Sequence, residues 1–261
     1  MTSKDRIKTI TKWIKDYAKK NKIQALVIGV SGGIDSAVVS TLCAKTGLPV
    51  TVVTMPIKQN KKLHNLSLEQ ASFLAANFSN VTHKNIDLTK TFTVLEKALA
   101  TDGYESELGF ANTRARLRMT TLYQVAQSIN GIVVGTGNKV EDFGVGFFTK
   151  YGDGGVDISP IGDCLKTEVW EMGKELGVPQ EIIDAPPTDG LWNDGRTDED
   201  QLGMSYAELE RMMILDRLEG LPGIQPFSAS DKKKLRKYRE LRSRNLHKMN
   251  PIPVCTLNEQ I

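Results

Sequence analysis

Residues 31–36 have the types and spacing of a loop that binds phosphate. They read SGGIDS and follow the apolar run QALVIGV at 24–30. Adjacent glycines allow a tight turn and let the backbone approach a ligand closely, because no Cβ intervenes. The helix that follows such a turn presents free N–H groups and a partial positive charge to an anion. With the hydroxyls of Ser31 and Ser36, this segment predicts a phosphate or pyrophosphate site.

Asp35 stands in this loop, where a carboxylate would repel phosphate oxygens unless Mg²⁺ lay between them. We therefore predict Asp35 to be a magnesium ligand. The alternative is that Asp35 caps the helix and the glycines only turn the chain, but the full pattern after a strand favours a nucleotide site. It is not a Walker loop, since no lysine occurs between Gly29 and Ala44.

A second set of polar residues follows the apolar residues 132–134. Gly135 and Gly137 suggest a dinucleotide fingerprint, but Val140 occupies the place of its third glycine. What remains is a long polar and aromatic loop at the carboxyl end of a predicted strand, which is where open parallel sheets bind ligands. The polar residues of this loop are Thr136, Glu141, Lys150, Asp153 and Asp157.

Strands must alternate with helices to position these two loops. Predicted strands near 24–30, 50–55, 81–87 and 132–136 are separated by segments with helical spacing of apolar residues. This alternation predicts an α/β fold, a doubly wound parallel sheet flanked by helices. We expect a single domain over 1–261, with an N-terminal helix at about 4–20 and a basic C-terminal helical segment at about 228–249.

The composition is that of an ordinary globular protein, with 40% hydrophobic and 25% charged residues in 261. No apolar run approaches the ~20 residues of a membrane span, and no signal peptide is recognisable. We therefore predict a cytoplasmic protein that does not bind membranes. Cys43, Cys164 and Cys255 are too far apart in sequence to suggest a disulfide framework or a zinc site.

Basic residues concentrate in two places. The net charge of +3 is too small to imply nucleic acid, and the segment 228–249 can bind a phosphate backbone or dock on a core through Leu235 and Tyr238. We predict docking and no nucleic-acid partner, because no recognition module accompanies the helix. Arg114, Arg116 and Arg118 fall at the predicted start of a helix, where the dipole disfavours cations, which favours an anionic partner.

Two further loops have compositions typical of a closing lid. They span 56–65, with several lysines, and 185–206, with glycines and prolines. The lysines of the first either meet phosphate or are solvated. The acidic run 198–200 of the second is interpreted as a solvated face.

Taken together in order, five segments resemble the ammonia-dependent NAD synthetases of the N-type ATP pyrophosphatase superfamily. They are SGGIDS at 31–36, ANTRARLRM at 111–119, GTGNKVE at 135–141, GFFTKYGDGGVDISP at 146–160, and the Pro187-Thr188 loop with the later DED. The resemblance implies an adenine nucleotide alpha hydrolase-like, Rossmann-like fold and a homodimer. It implies a ligase that amidates deamido-NAD to NAD with ammonia, through an acyl-adenylate made from ATP, releasing AMP and pyrophosphate.

The resemblance also assigns roles to residues. Asp153 would steer or deprotonate ammonia, Lys166 would offset charge on the departing pyrophosphate, and Asp35 and Glu141 would bind Mg²⁺. The residues implied to contact ATP, the co-substrate, are Gly29, Val30, Ser31, Gly32, Gly33, Ile34, Asp35, Ser36, Thr136, Lys166 and Thr188. Those implied to contact deamido-NAD are Arg116, Lys150, Asp157, His247 and Lys248.

One departure from the family pattern concerns the metal. The commoner pattern has one residue fewer between the metal-binding Glu and the Lys of FFTK, so an insertion lies between Glu141 and Lys150. Asp142 is then the alternative ligand. The residues leave no room for a glutaminase domain, so free ammonia is the expected donor. The rival readings are another adenylating enzyme, acting on tRNA bases or GMP precursors, and a nucleotide-binding, nucleic-acid-associated protein.

Overall fold

The computed structural model describes residues 1–59, 61–188, 190, 195–221 and 227–257. Its sheet consists of β1 (Ala25–Gly29), β2 (Val50–Thr54), β3 (Val81–Asn85) and β4 (Gly131–Val133), in the order β3-β2-β1-β4. All neighbouring strands are parallel. Since parallel strands end at one edge, the loops after β1, β2 and β4 meet there.

Helices connect and cover these strands. In chain order they are α1 (Ser3–Lys20), α2 (Ile34–Ala44), α3 (Lys61–Asn77), α4 (Thr89–Thr101), α5 (Glu107–Ser128), α6 (Lys166–Leu176), α7 (Gln180–Ile183), α8 (Asp198–Leu202), α9 (Tyr206–Leu218) and α10 (Ala229–Met249). A π-helix spans Lys139–Val145. The predicted parallel α/β architecture is confirmed.

The sheet is covered on both faces. Leu26 and Ile28 of β1 pack with Val38 and Leu42 of α2 on one face. Val27, between them in sequence, points to the opposite face and belongs to a separate apolar cluster. Burial on both sides explains why the strand reads as a continuous apolar run rather than an alternating one.

A further apolar cluster joins the C-terminal helices to the π-helix. Val140 and Val145 of the π-helix pack with Leu209 of α9 and with Leu235 and Tyr238 of α10. The C-terminal part of the chain therefore supports the loop after β4 from behind. This contact links a distant segment to the predicted site.

The basic helix α10 docks on this cluster, as one of the two sequence interpretations predicted. Its lysines and arginines make several intramolecular contacts. Lys234 pairs with Glu208 at 2.5 Å and Arg239 with Asp216 at 2.6 Å, while Arg242 donates to the Gly144 carbonyl at 2.7 Å. Part of the positive charge is thus paired or hydrogen-bonded within the protein.

The dipole argument for the arginines is wrong. α5 begins at Glu107 with Ser106 as its N-cap, whose hydroxyl accepts from the Gly109 amide at 3.1 Å. Arg114, Arg116 and Arg118 therefore lie about two turns inside the helix, beyond the first turn where the dipole acts. The apolar spacing that begins at Ala115 predicts a start for α5 that is later in the chain than the observed start at Glu107.

The acidic run at 198–200 is also not simply a solvated face. Thr197 and Asp200 form a capping box that starts the short helix α8. Asp198 is buried. Residues 189 and 191–194 of the predicted loop 185–206, and residue 60 of the loop 56–65, lie outside the described residues. The predicted loop 56–65 already becomes helical at Lys61.

Over the described residues, none of the helices combines the length and the apolar character that crossing a bilayer requires.

Candidate active site

The predicted strand, glycine turn and helix is confirmed at 25–44. Gly32 has φ +92°, and a Cβ there would lie 2.7 Å from the Leu63 carbonyl oxygen at the start of α3. Only glycine combines this backbone angle with such a close approach. Gly33 caps α2 without a side-chain hydrogen bond. The first-turn amides therefore lack a side-chain acceptor at the cap and can serve an anion.

The two loop serines brace each other. Ser36 Oγ donates to the Gly33 carbonyl at 2.9 Å and accepts from the Ser31 amide at 3.2 Å. The two hydroxyl oxygens are 3.1 Å apart. The turn is therefore held in shape by its own side chains.

Asp35 does not cap α2, so the alternative interpretation of this residue is wrong. Its carboxylate Oδ2 accepts a hydrogen bond from Lys166 Nζ, and Lys166 opens α6 far along the chain. The same ammonium donates to Glu141 Oε1 at 3.0 Å. Lys166 is only 2% exposed. The structure thus brings together three of the residues that the family resemblance singled out.

Tyr206 completes this cluster. Its hydroxyl donates to Glu141 Oε1 at 2.5 Å and to Asp198 Oδ2 at 3.3 Å. Lys166 Nζ lies 4.8 Å from the centre of the Tyr206 ring, a cation–π distance. Sequence reasoning missed Tyr206, because nothing in its local pattern distinguishes it from a core aromatic of α9.

The charges of the cluster are strongly shifted. Burial raises the pKa of Asp35 to about 6, with Lys166 opposing the rise and Glu141 adding to it. Burial opposes ionisation of Glu141 too, but Lys166 and the Tyr206 hydroxyl lower its pKa overall. Burial also opposes the Lys166 ammonium, yet the two carboxylates raise its pKa above the ordinary value. Asp35 is therefore the carboxylate of the cluster that takes up a proton first.

Asp35 and Glu141 fit a magnesium ion by the chemistry of their donors. Both present carboxylate oxygens to one point, and Asp35 Oδ1 is buried without a hydrogen-bond partner. Hard oxygen donors, often one or two carboxylates with substrate phosphates, suit Mg²⁺. An orphaned oxygen of this kind is the place where an added cation would bind.

Asp142, the alternative ligand, also lines the cavity but makes different contacts. Its carboxylate packs against the backbone of Gly137, where any Cβ would overlap it. Burial raises the pKa of Asp142 to about 8, and Glu141, Asp153 and Asp35 contribute to the rise. It makes no ion pair with Lys166 in the described residues. Glu141 is therefore the better partner for Asp35.

The extra residue after Glu141 coincides with the π-helix. A π-turn holds one residue more than an α-turn, so the insertion expected between Glu141 and Lys150 can be absorbed within it. Asn138 starts this helix by accepting from the amides of Val140 and Glu141 at 3.0 and 3.1 Å. Gly146 ends it with φ +67°. The sequence interpretation of this stretch as an irregular loop was wrong at 139–145.

Asp153 lies across the cleft from the lysine cluster. Its Oδ1 accepts from the Thr149 amide at 3.0 Å, and Thr149 is itself held by Asn112 at 2.6 Å. The side chain is exposed to the open cleft. The cleft walls nevertheless desolvate the carboxylate and raise its pKa, while the Thr149 amide counteracts the rise.

Lys248 joins this side of the cleft. Its Nζ donates to the carbonyls of Gly146 and Phe148 at 3.0 and 2.9 Å. Burial lowers its pKa, and Asp153 opposes that change. The end of α10 is thereby fastened to the FFTK segment.

The other residues implied to contact deamido-NAD lie outside the cavity lining. Arg116 Nε donates to the Lys150 carbonyl at 3.3 Å, and Lys150 Nζ donates to the His247 carbonyl at 2.8 Å, so these three are neighbours. Asp157 is held elsewhere, by the Tyr123 hydroxyl at 3.1 Å and the Val133 amide at 2.7 Å.

One cavity of about 370 Å³ connects the two sides of the cleft. It is lined by residues from the phosphate loop, the π-helix and the FFTK segment. Those predicted to contact ATP that line it are Gly29, Val30, Ser31, Gly32, Gly33, Ile34, Asp35, Ser36, Thr136, Lys166 and Thr188. Arg118 also lines it, a residue of the arginine cluster to which the resemblance assigned no role.

Comparison with known proteins identifies solved structures with a similar fold. A solved structure named NMN synthetase from Francisella tularensis superposes with a TM-score of 0.85 and 34% identity, covering 98% of this chain and 100% of that one. The NH3-dependent NAD synthetase from Campylobacter jejuni, solved with nitrate, has a TM-score of 0.76 at 24% identity, which supports the fold.

Sequence relatives extend over nearly all of the chain. The NH(3)-dependent NAD(+) synthetase of Archaeoglobus fulgidus is 35% identical over 254 residues, covering 97% of both proteins. That of Methanosarcina mazei is 35% identical over 253 residues, covering 95% of this chain and 96% of the relative. The family model described as NAD synthase matches residues 6–252. With this match added to the phosphate loop and the lysine–carboxylate cluster, the chain belongs to the NAD synthase family.

Proposed function

We propose that this protein is a ligase that amidates deamido-NAD to NAD with ammonia and ATP, releasing AMP and pyrophosphate. The observation that carries the proposal is the convergence, in one cavity, of the phosphate loop, the Asp35–Lys166–Glu141 cluster and Asp153. The phosphate loop and the lysine–carboxylate cluster are suited to binding a nucleotide, and Asp153 is suited to accepting a proton. The family membership supports the same reaction.

The chemistry requires both sides. A carboxylate does not accept ammonia, because its oxygen is a poor leaving group. The nicotinate carboxylate therefore attacks the α-phosphorus of ATP, forming an acyl-adenylate and expelling pyrophosphate. The free amides of the first turn of α2 hold the phosphates, and the Lys166 ammonium offsets the charge that develops on the leaving group.

Magnesium would be held by Asp35 and Glu141 and would neutralise part of the negative charge of the phosphates. Lys166 now bridges these two carboxylates. We infer that, when ATP binds, the Lys166 ammonium donates a hydrogen bond to a phosphate oxygen in place of one of its two carboxylate partners. Thr136 and Thr188 line the same cavity and complete the polar contacts to the nucleotide.

Asp153 is placed to manage ammonia. At neutral pH ammonia is mostly ammonium, which must lose a proton before it can attack the acyl carbon. The Asp153 carboxylate opens on the cleft, and its raised pKa makes it a better proton acceptor than an ordinary aspartate. Ammonia then bonds to the acyl carbon as the acyl–oxygen bond to AMP breaks. The AMP phosphate takes up the second proton that the nitrogen loses, and Asp153 releases the first proton to solvent.

The direct test is a product assay with ATP, ammonium and deamido-NAD. We expect NAD, AMP and pyrophosphate in equal amounts. Formation of ADP and phosphate would contradict the site assignment. The rival enzymes that act on tRNA bases or GMP precursors are not favoured by the relatives, and adding RNA should leave the rate unchanged.

A second candidate substrate is nicotinate mononucleotide, the acid that corresponds to NMN. Two observations favour it: a 34% identical structure is named NMN synthetase, and Arg116, Lys150 and His247 lie outside the cavity lining. These observations support a substrate bound in the cavity through the nicotinate end that both acids share, without contacts from those three residues. Comparing kcat/KM for nicotinate mononucleotide and deamido-NAD decides between them. A higher value for deamido-NAD would support the first proposal, and a higher value for the mononucleotide would support the second.

We further propose a cytoplasmic homodimer, as the resemblance and the sequence implied. Apolar side chains on α4 and the start of α5 support association with a second copy, because Val94, Tyr104 and Leu108 are 72%, 72% and 58% exposed. Analytical ultracentrifugation should give a dimer that V94E/L108E converts to a monomer. A monomeric wild type at micromolar concentration would contradict this.

A further inference from the structure

Arg118 reaches the cavity from the middle of α5. It lies one turn after Arg114 and one turn before Leu122, on the helix face that lines the cavity together with Ala115. Its Nε donates to the Met55 carbonyl at 3.0 Å, just past the end of β2. This bond fixes the side chain beneath the carboxyl edge of the sheet.

The guanidinium of Arg118 makes no ion pair with any carboxylate in the described part of the chain. Its two terminal nitrogens make no hydrogen bond or ion pair there, whereas Arg239 pairs with both Asp216 and Glu219. Burial lowers the pKa of Arg118 to about 10, and Arg114 adds to the decrease. A desolvated cation without a partner is costly unless an anion is supplied. Because Arg118 lines the cavity, a ligand bound there can supply that anion.

The neighbouring charges indicate which anion this is. Asp153 is the carboxylate that interacts favourably with Arg118, which places the guanidinium on the ammonia side of the cleft. Under the proposed function, on which this inference rests, ammonia attacks the acyl carbon, so the reacting carboxylate must lie beside Asp153. The other cations of the cavity are committed: Lys166 bridges two carboxylates, and Lys248 donates to two carbonyls.

We propose that Arg118 binds the nicotinate carboxylate of the acid substrate through its two terminal nitrogens. A planar guanidinium matches a carboxylate with two parallel hydrogen bonds. The amide product offers one neutral carbonyl in the same place, so Arg118 distinguishes the acid from the amide. It holds the substrate for activation and releases the product once its charge is lost.

The test measures binding of deamido-NAD and NAD to the full chain without ATP, by calorimetry, for wild type, R118Q and R114Q. Wild type should bind the acid ~10- to 100-fold more tightly than the amide, the range of a charge-assisted pair. R118Q should bind the two within about twofold of each other by losing affinity for the acid alone. R118K tests the same point if R118Q does not fold, and should retain part of the preference.

R114Q is the matched control. Arg114 lies on the same helix with its guanidinium 5.4 Å from the centre of the Phe92 ring, and it is not among the cavity-lining residues. Its replacement should leave the preference for the acid unchanged. Retention of the full preference in R118Q, or an equal loss in R114Q, would overturn the role of Arg118.

The two proposals fail differently. If wild type does not amidate either nicotinate acid with ATP and ammonium, the proposed function is wrong. If wild type amidates the acid but shows no preference for it over the amide, or R118Q keeps that preference, only the assignment of Arg118 is wrong.

Discussion

Gly32 shows how much one residue of the phosphate loop must satisfy. Its positive φ is strained for any residue with a Cβ, and its Cβ position is already occupied by the backbone of α3. The first demand is local, and the second arises because α3 packs across the loop. A substitution there would change the shape of the anion site as well as the stability of the turn.

We predict that G32A lowers turnover by at least ~100-fold, since moving the loop by fractions of an ångström misplaces the reacting phosphate. The control is G47A, where φ is +76° but nothing lies within 4 Å of the Cβ position. G47A should cost only ~1–2 kcal/mol of stability and retain activity. Steady-state kinetics and urea unfolding of both variants test this, and equal activity losses would contradict it.

Asp142 is predicted to make stability depend on pH. Its pKa is raised to about 8 in the folded protein, so the folded state keeps a proton that the unfolded chain releases near pH 4. Between these values stability falls as pH rises, by at most ~1.4 kcal/mol per pH unit. Below pH 4 both states carry the proton, and the contribution is constant.

D142N cannot titrate, so its stability should gain on wild type as pH increases from 5 to 8. Urea unfolding in EDTA at both pH values measures the difference. D163N is the control, because the Asp163 side chain is 96% exposed. Parallel pH curves for wild type and D142N would show that Asp142 is ionised in the folded state.

At the scale of elements, the site depends on α9 as much as on the sheet. α9 supplies Tyr206, whose hydroxyl fixes Glu141 on the π-helix, while the rest of the helix packs in the cluster behind it. Thus the element that carries Glu141 is held by hydrogen bonds in front and by apolar contacts behind. The extra residue of the π-helix is accommodated between these two restraints.

We predict that Y206F destabilises the protein by ~1–3 kcal/mol, because the buried Glu141 carboxylate loses a charge-assisted hydrogen bond. The measurement is urea unfolding at pH 7. Y104F serves as the control, since Tyr104 is 72% exposed and should tolerate the change. Unfolding midpoints that agree within error for wild type and Y206F would mean that the hydroxyl contributes nothing net.

At the scale of the whole molecule, the environments of the three cysteines bear on the source of nitrogen. Release of ammonia from glutamine by a thiol needs a reactive thiolate. Cys43 and Cys164 are buried, and burial raises the pKa of both, that of Cys164 to about 11. Cys255 lies on the exposed segment after α10.

We therefore predict that glutamine does not replace ammonium in the assay of the purified chain. The rate with glutamine should be below ~1% of that with ammonium, and C255S should not alter either rate. Amide formation is followed by NAD production. Efficient use of glutamine, abolished by C255S, would show that this thiol is catalytic.

The sequence alone predicted the parallel α/β sheet and the phosphate loop, and the family resemblance named a part of the residues that line the cavity. These follow from apolar periodicity, glycine turns and motif order, which are properties of neighbours along the chain. It also predicted an insertion after Glu141, which stays a prediction, but it did not predict the π-helix that the structure shows at 139–145. The start of α5 was not predicted from the sequence: the apolar spacing was followed only from Ala115, and the helix begins at Glu107, so the arginines were placed wrongly.

Only the tertiary structure decided which distant side chains meet. Asp35, Glu141, Lys166 and Tyr206 lie on four different elements, and their contacts depend on how those elements pack. The absence of an ion pair at Arg118 within the described ranges is likewise a property of the packed molecule, and so is the burial of Asp198. Hydrogen-bond partners and desolvation are set by three-dimensional surroundings, and no local pattern encodes them.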